Sequence, residues 1–140
     1  MVAAPSSKEK RVRVLVVDDE ESNRTFTETA LAEAGYEVMS ASSGPVALIT
    51  AEQQGPFDLF VVDVLMPRMR GDELGRRLAQ QYRDAKVLYF TGDGRWVATR
   101  PTLTPREAIV EKPATLDELL GAVSRLLSGR SDGMTAFEPT

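Results

Sequence analysis

Apolar residues in this chain come in short unbroken runs separated by longer stretches of mixed polarity. Val14-Leu15-Val16-Val17 and Leu59-Phe60-Val61-Val62 each lead straight into carboxylates, Asp18-Asp19 in one case and Asp63 in the other. Runs of this length bounded by turn residues read as strands buried on both faces. The same reading predicts strands over Val12–Val17, Tyr36–Ala41, Leu59–Val62, Lys86–Phe90 and Ala108–Val110. Between them the apolar positions recur at helical spacing. A first helix is predicted from Glu21 to Ala34, with Phe26, Ala30, Leu31 and Ala34 on its inner face and Gly35 as the residue that ends it. Glu20 and Glu21 at its start suit the positive end of the helix dipole. A second runs from Gly44 to Gln54, opened by Pro45 and closed by Gly55-Pro56. A third spans Asp72–Gln81 around Leu74 and Leu78, with Gly75 slightly unfavourable inside it. The last begins at Thr115-Leu116-Asp117-Glu118, a capping box, and runs to Ser128 with Leu116, Leu119, Leu120, Val123 and Leu127 on one side. Arg95–Arg106 is the least regular part: Trp96, Val97 and Ala98 suit a short helix, but Pro101 and Pro105 forbid a long one.

Strands and helices therefore alternate through five βα units. That predicts an α/β fold, a parallel sheet doubly wound with helices on both faces. Right-handed crossovers leave few topologies. The flavodoxin-like strand order 2-1-3-4-5 is one of them, and it sets strand 1 beside strand 3. Residues 1–10 read as a disordered lead-in, 11–128 as one domain and 129–140 as a flexible tail.

Composition narrows the chemistry. The 140 residues suffice for one domain with a full core, and 42% hydrophobic against 27% charged content is ordinary for a soluble globular protein. No apolar stretch reaches the roughly 20 residues of a membrane span. The start of the chain lacks the apolar core of a signal peptide. Cysteine is absent, which removes disulfides and thiolate metal sites and suits the cytoplasm. Histidine is absent too, so histidine-based catalysis, metal ligation and phosphohistidine are excluded within this chain. A net charge of −4 argues against a generic nucleic-acid surface.

With strands 1 and 3 adjacent, Asp18, Asp19 and Asp63 meet at the carboxyl edge of the sheet, where ligands bind in open α/β folds. Like charges so close raise one another's pKa unless a hard cation offsets them, and Mg²⁺ suits carboxylates plus water. A carboxylate is also a nucleophile toward phosphorus. Strands 4 and 5 deliver Thr91 and Lys112 to the same edge, a hydroxyl donor and an ammonium for phosphoryl oxygens. Taken singly, each residue has an ordinary role: an Asp after a strand commonly caps a helix. The joint occurrence is what carries the reading.

These motifs together resemble those of a response-regulator receiver domain over about Arg11–Leu127. They are Val16-Val17-Asp18-Asp19-Glu20, Val62 to Gly71 around Asp63, Thr91-Gly92 and Glu111-Lys112-Pro113. The resemblance implies that Asp63 accepts a phosphoryl group from a histidine kinase or histidine phosphotransfer protein. It implies Mg²⁺ held by Asp19, Asp63 and the backbone carbonyl of Leu65, with Asp18 acting through water. Thr91 and Lys112 would contact the phosphoryl group, and the Lys112–Pro113 bond would be cis. The output would pass to a downstream effector protein or domain, with no nucleic acid and no membrane bound by this chain. The chain would be a cytoplasmic signalling module, not an enzyme on an external substrate, either stand-alone or part of a hybrid kinase.

Departures from the family pattern bear on output. Gly92 follows the switch threonine where alanine is frequent, and Ile109 stands where Tyr or Phe is usual. Leu65 and Asp93, each two residues past a site residue, occupy positions that tune hydrolysis of the aspartyl phosphate. An aspartate-nucleophile phosphatase would place an acid two residues after Asp63, where this chain has Leu65. A receiver that works without phosphorylation would have a damaged acidic cluster, and this one is complete. With Ile109 stiff at χ1, the response is expected as ordering of Arg95–Arg106 and movement of Thr91–Gly94.

Overall fold

The computed structural model describes residues 11–99 and 101–129. The expectations for the lead-in at 1–10 and for the tail beyond Gly129 lie outside the described residues. Five strands, β1 (Arg13–Val17), β2 (Glu37–Ala41), β3 (Leu59–Val62), β4 (Lys86–Thr91) and β5 (Glu107–Glu111), form one parallel sheet in the order β2-β1-β3-β4-β5. The helices are α1 (Glu21–Glu33), α2 (Gly44–Gln54), α3 (Gly71–Gln81), α4 (Gly94–Ala98) and α5 (Leu116–Ser128). Alternation and strand order are those expected from the apolar runs.

The sheet separates two cores. On one face Leu15, Val17, Phe60, Val62, Val87 and Tyr89 pack under α2, α3 and α4 through Ala47, Ala51, Leu74, Leu78 and Trp96. On the other, Val14, Val16, Val61, Leu88 and Phe90 pack under α1 and α5 through Leu31, Leu119, Val123 and Leu126. β1 and β3 are buried on both faces, which is why their sequences are unbroken apolar runs rather than alternating ones. Each fully buried Val, Leu or Phe contributes about 1.5–3 kcal/mol relative to exposure. That burial fixes the strand ends bearing the carboxylates.

Two helix faces differ from expectation. In α1 the inner face is Thr27, Ala30 and Leu31, while Phe26 is 50% exposed and Ala34 is also exposed. Thr27 is accommodated because its hydroxyl donates to the Asn23 carbonyl (3.0 Å), so its methyl faces the core without an orphaned polar group. In α5 the inner face is Leu119, Ala122, Val123 and Leu126, and Leu116 is 45% exposed. Leu116 sits in the first turn beside the capping box, where the helix has not yet reached the sheet. The capping box itself is present, with the Thr115 hydroxyl accepting from the Glu118 amide at 3.0 Å and Glu118 accepting from the Thr115 amide at 2.8 Å.

α4 is short, as its prolines require: five residues, Gly94–Ala98. Asp93 caps its start by accepting from the Trp96 amide (3.1 Å), and the Thr99 hydroxyl donates back to the Trp96 carbonyl (2.6 Å). Pro101 cannot continue the helix. Trp96 lies edge-on to Tyr89, ring centroids 5.1 Å apart, and Ile109 packs beside them from β5.

Gly75 in α3 is explained by the same cluster. A Cβ at this position would overlap the Tyr89 hydroxyl and ring. Gly75→Ala gains about 1 kcal/mol of helix propensity but must push a buried ring that Trp96 holds from the other side. The expected net result is destabilisation of about 1–2 kcal/mol by urea unfolding, the cost of overpacking. Adding Tyr89→Phe removes the nearest clashing atom and should recover part of the loss.

Candidate functional site

β1 and β3 are paired with Val17 opposite Val62, so Asp18 and Asp63 each lie one residue past the paired ends. The chain stays in register there, because the Asp63 amide donates to the Val17 carbonyl (3.0 Å) and the Asp18 amide to the Ala41 carbonyl (3.2 Å). Carboxylate oxygens of Asp18, Asp19 and Asp63 lie within 4.8 Å of one another. Asp18 is buried, Asp63 half-buried and Asp19 exposed, so the cluster opens to solvent on one side.

Neither Asp18 nor Asp63 has the ordinary capping role. The N-cap of α1 is Glu20, whose carboxylate accepts from the Asn23 amide (3.1 Å) and the Ser22 hydroxyl (2.9 Å). These bonds, Ser22 foremost, hold the Glu20 carboxyl below its usual range. The residue before α3 is Arg70, with no side-chain cap. Asp18 and Asp63 are therefore left facing the pocket.

Lys112 enters from the end of β5. Its ammonium lies 3.1 Å from Asp18 Oδ2 and 3.6 Å from Asp63 Oδ2, and 5.0 Å above the Phe90 ring. The Lys112 amide donates to the Thr91 carbonyl (2.8 Å), which joins the ends of β4 and β5. The Lys112–Pro113 bond is cis, as expected. Thr91 is fully buried; its hydroxyl accepts from the Asp93 amide (3.1 Å), and its own proton has no acceptor among the described residues. Leu65 is 53% exposed: its amide donates to Asp63 Oδ1 (3.3 Å), and its carbonyl accepts no hydrogen bond among the described residues. All six residues singled out from the sequence are thus gathered at one edge.

Other contributors carry no signal that spacing could reveal. Arg24 on α1 donates to the Asp18 carbonyl (2.9 Å). Arg70 bridges Asp72 (3.0 Å) and Asp93 (3.4 Å), tying the loop after Asp63 to the loop after Thr91. Gly71 is required by a close approach: its amide donates to the Val64 carbonyl (2.8 Å), and a Cβ there would overlap the Asp63 carbonyl. The loop between includes Arg68 at φ 72°.

Three carboxylates against one ammonium leave two negative charges uncompensated, and the donors facing the pocket are all oxygens. That set suits a hard divalent cation. Burial raises the Asp18 pKa above its ordinary 3.8; the Glu20 amide and the Lys112 charge oppose the rise, and the Asp63 charge adds to it. A carboxyl whose pKa is raised on folding binds more protons folded than unfolded across the interval between the two values, so stability falls as pH rises through it. The stability of wild type relative to Asp18→Asn should therefore decline as pH is raised from about 3.8 upward in metal-free buffer. A relative stability that rises over that interval would contradict the assignment of Asp18 as the strained carboxylate.

Residues 14–124 match the family model of the response regulator receiver domain. The response regulator receiver protein CpdR of Brucella abortus is 32% identical over 82% of this chain and 96% of its own length. The sensor kinase CckA of Brucella abortus is 34% identical over 89% of this chain, which spans only 14% of that kinase. The response regulator TrrA of Thermotoga maritima, solved in complex with Mg²⁺ and BeF, superposes with a TM-score of 0.72 at 32% identity, covering 82% of this chain and 98% of that one. With the five-stranded order 2-1-3-4-5 and the acidic edge already described, the chain belongs to the response regulator receiver domain family, the phosphorelay modules of two-component signalling.

Proposed function

We propose that Asp63 is the phospho-acceptor of this receiver and that the chain itself supplies the groups that make the transfer possible. The observation that carries this is the Asp63 carboxylate standing half-exposed between the Lys112 ammonium (3.6 Å) and two further carboxylates, at the open edge of the sheet. An Asp63 oxygen attacks phosphorus while the bond from phosphorus to the donor imidazole nitrogen breaks; the departing nitrogen keeps the electron pair and takes up a proton. The donor is a histidine kinase or histidine phosphotransfer protein, since this chain has no histidine. Lys112 neutralises charge on the phosphoryl oxygens, and the Thr91 hydroxyl donates its free proton to one of them. Asp19, Asp63 and the Leu65 carbonyl would hold Mg²⁺, with Asp18 acting through water. When bound, Mg²⁺ supplies charge compensation for the carboxylates and polarises the phosphoryl oxygens. The chain catalyses its own phosphorylation and dephosphorylation only, and hands its state to a downstream effector. The cytoplasm suits a cysteine-free module of this kind.

A small phosphodonor, acetyl phosphate, should label the wild type only when Mg²⁺ is present, and Asp63→Asn should not be labelled. Lys112→Ala should lose most of the response. Intact-mass measurement reads both, and equal labelling of Asp63→Asn would sink the assignment. Saturating Mg²⁺ should also raise the melting temperature by relieving carboxylate repulsion.

The route out of the site is proposed through the loop after Thr91. Drawing the Thr91 hydroxyl toward a phosphoryl oxygen costs it the Asp93 amide, and Asp93 both caps α4 and pairs with Arg70. Freed from that bond, the segment is expected to settle into a more ordered arrangement: beryllofluoride with Mg²⁺ should raise amide protection over residues 92–106, while Ile109 keeps its rotamer in crystal structures of both states. An Ile109 flip, or unaltered exchange over 92–106, would refute this route.

A further inference from the structure

Because α4 ends at Ala98, it covers only the upper part of the space between α3 and β5. Below it a groove of about 470 Å³ remains, floored by Tyr89. Asp72, Arg76, Ala79 and Gln80 line one wall from a single face of α3, about 12 Å along the helix, and Arg83 adds to it from the turn that follows α3. Trp96 and Arg106 line the other.

Three features of the groove point to a ligand. First, Arg76, Arg83 and Arg106 pair with no carboxylate among the described residues, on a chain whose net charge is −4, and the Arg106 guanidinium donates to the Arg83 carbonyl, which holds those two residues together at one end of the groove. The two acids in the lining are engaged: Asp72 with Arg70 (3.0 Å), and Glu107 with the Thr104 amide (2.9 Å). Second, Tyr89 lines the groove and is only 4% exposed, yet its hydroxyl, which lies against Gly75, makes no hydrogen bond among the described residues. A buried hydroxyl left unpartnered is costly. Burial also pushes its pKa up, so it stays a donor at neutral pH. Third, half-buried Trp96 lines the groove and offers it an aromatic face.

We propose that this groove docks an extended acidic segment of a partner protein. The segment would place one aromatic side chain against Trp96, and carboxylates on Arg76, Arg83 and Arg106. The length decides for a chain segment over a compact anion: about 12 Å accommodates about four extended residues at roughly 3.3 Å each. The groove lies on the α3 side of α4, away from the face between β5 and α5, and its proposed occupancy does not require a phosphorylated Asp63.

Trp96 is the only tryptophan in the chain, so its fluorescence reports on the groove directly. The probe is an acetylated, amidated pentapeptide with one phenylalanine flanked by two glutamates on each side, titrated into the full chain without phosphodonor. A saturable change is expected, weakened at least tenfold in Arg76→Glu/Arg83→Glu and weakened by added salt. Arg77→Glu, whose native partner is Glu73 outside the groove, should bind as wild type. Circular dichroism checks folding; if the double variant does not fold, Arg106→Gln carries the test with the same expected direction. The proposal is overturned by the absence of a saturable change, or by equal weakening in Arg77→Glu. Tighter binding of adenosine monophosphate than of the peptide would make this a small-anion site instead. A tenfold gain on removing residues 130–140 would make the occupant the chain's own C-terminal segment. Failure of Asp63 labelling would leave the docking result standing, so the two readings fail separately.

Discussion

Asp18, Asp19 and Asp63 hold carboxylate oxygens within 4.8 Å of one another on strand ends that cannot move apart. At an effective dielectric near 20, each such pair repels by about 3–4 kcal/mol if both groups are ionised. The β1–β3 pairing imposes this crowding, and the apolar burial of both strands on both faces sustains it. Lys112 relieves part of it by sitting near two carboxylates at once (3.1 and 3.6 Å), while burial, with a smaller addition from the Asp63 charge, still holds the Asp18 pKa above its ordinary value. A site that is net negative without a cation repels an anionic group, and a divalent cation that neutralises it removes that barrier. That is the electrostatic basis for a module that responds to a metal-assisted phosphoryl group.

The strain is connected to the rest of the molecule by specific contacts. Thr91 holds the Asp93 amide, Asp93 caps α4 at Trp96, Trp96 lies edge-on to Tyr89, and Tyr89 abuts Gly75 on α3. Arg70 adds a second connection, from the loop after Asp63 to Asp93. The first link is a hydrogen bond to the hydroxyl whose free proton a phosphoryl oxygen would accept, so a change at the site reaches this chain of contacts at Thr91. α4 hangs from that bond and is only five residues long, well below the length at which a helix sustains itself. It is therefore the element most sensitive to what happens at Thr91.

Much of this was legible from residue order. The buried strands announce themselves because two-sided burial demands unbroken apolar runs, and strand order then gathers the site at one edge. Pro101 and Pro105 foretold the short α4. What remained illegible depended on geometry rather than periodicity. Phe26 looks like the core residue of α1, but the helix is rotated so that Thr27 faces inward, its hydroxyl satisfied by Asn23. Leu116 looks like part of the α5 stripe, but the first turn of α5 stands clear of the sheet. The need for Gly71 arises from the approach of the Asp63 carbonyl across a loop, and the Arg70 bridge joins residues 23 apart in sequence. No local pattern encodes either.

Ile109 and the short α4 belong to one arrangement. A bulky aromatic on β5 that swings between inward and outward positions needs a volume beside Thr91 that empties and fills. Here the space on that face is filled by Tyr89 from β4 and Trp96 from α4, with Ile109 packed beside them. Gly75 is the concession α3 makes to the Tyr89 ring. With the aromatic bulk already inside and held from two sides, a β-branched residue on β5 completes the packing and has little rotamer freedom left to signal with. The adjustable part of the structure is consequently the α4 segment, whose hold on the domain consists of one cap, one ion pair and one aromatic contact. On the proposed route, a phosphorylation signal that repositions the first of these would change the shape of the surface beside α3 without repacking either core.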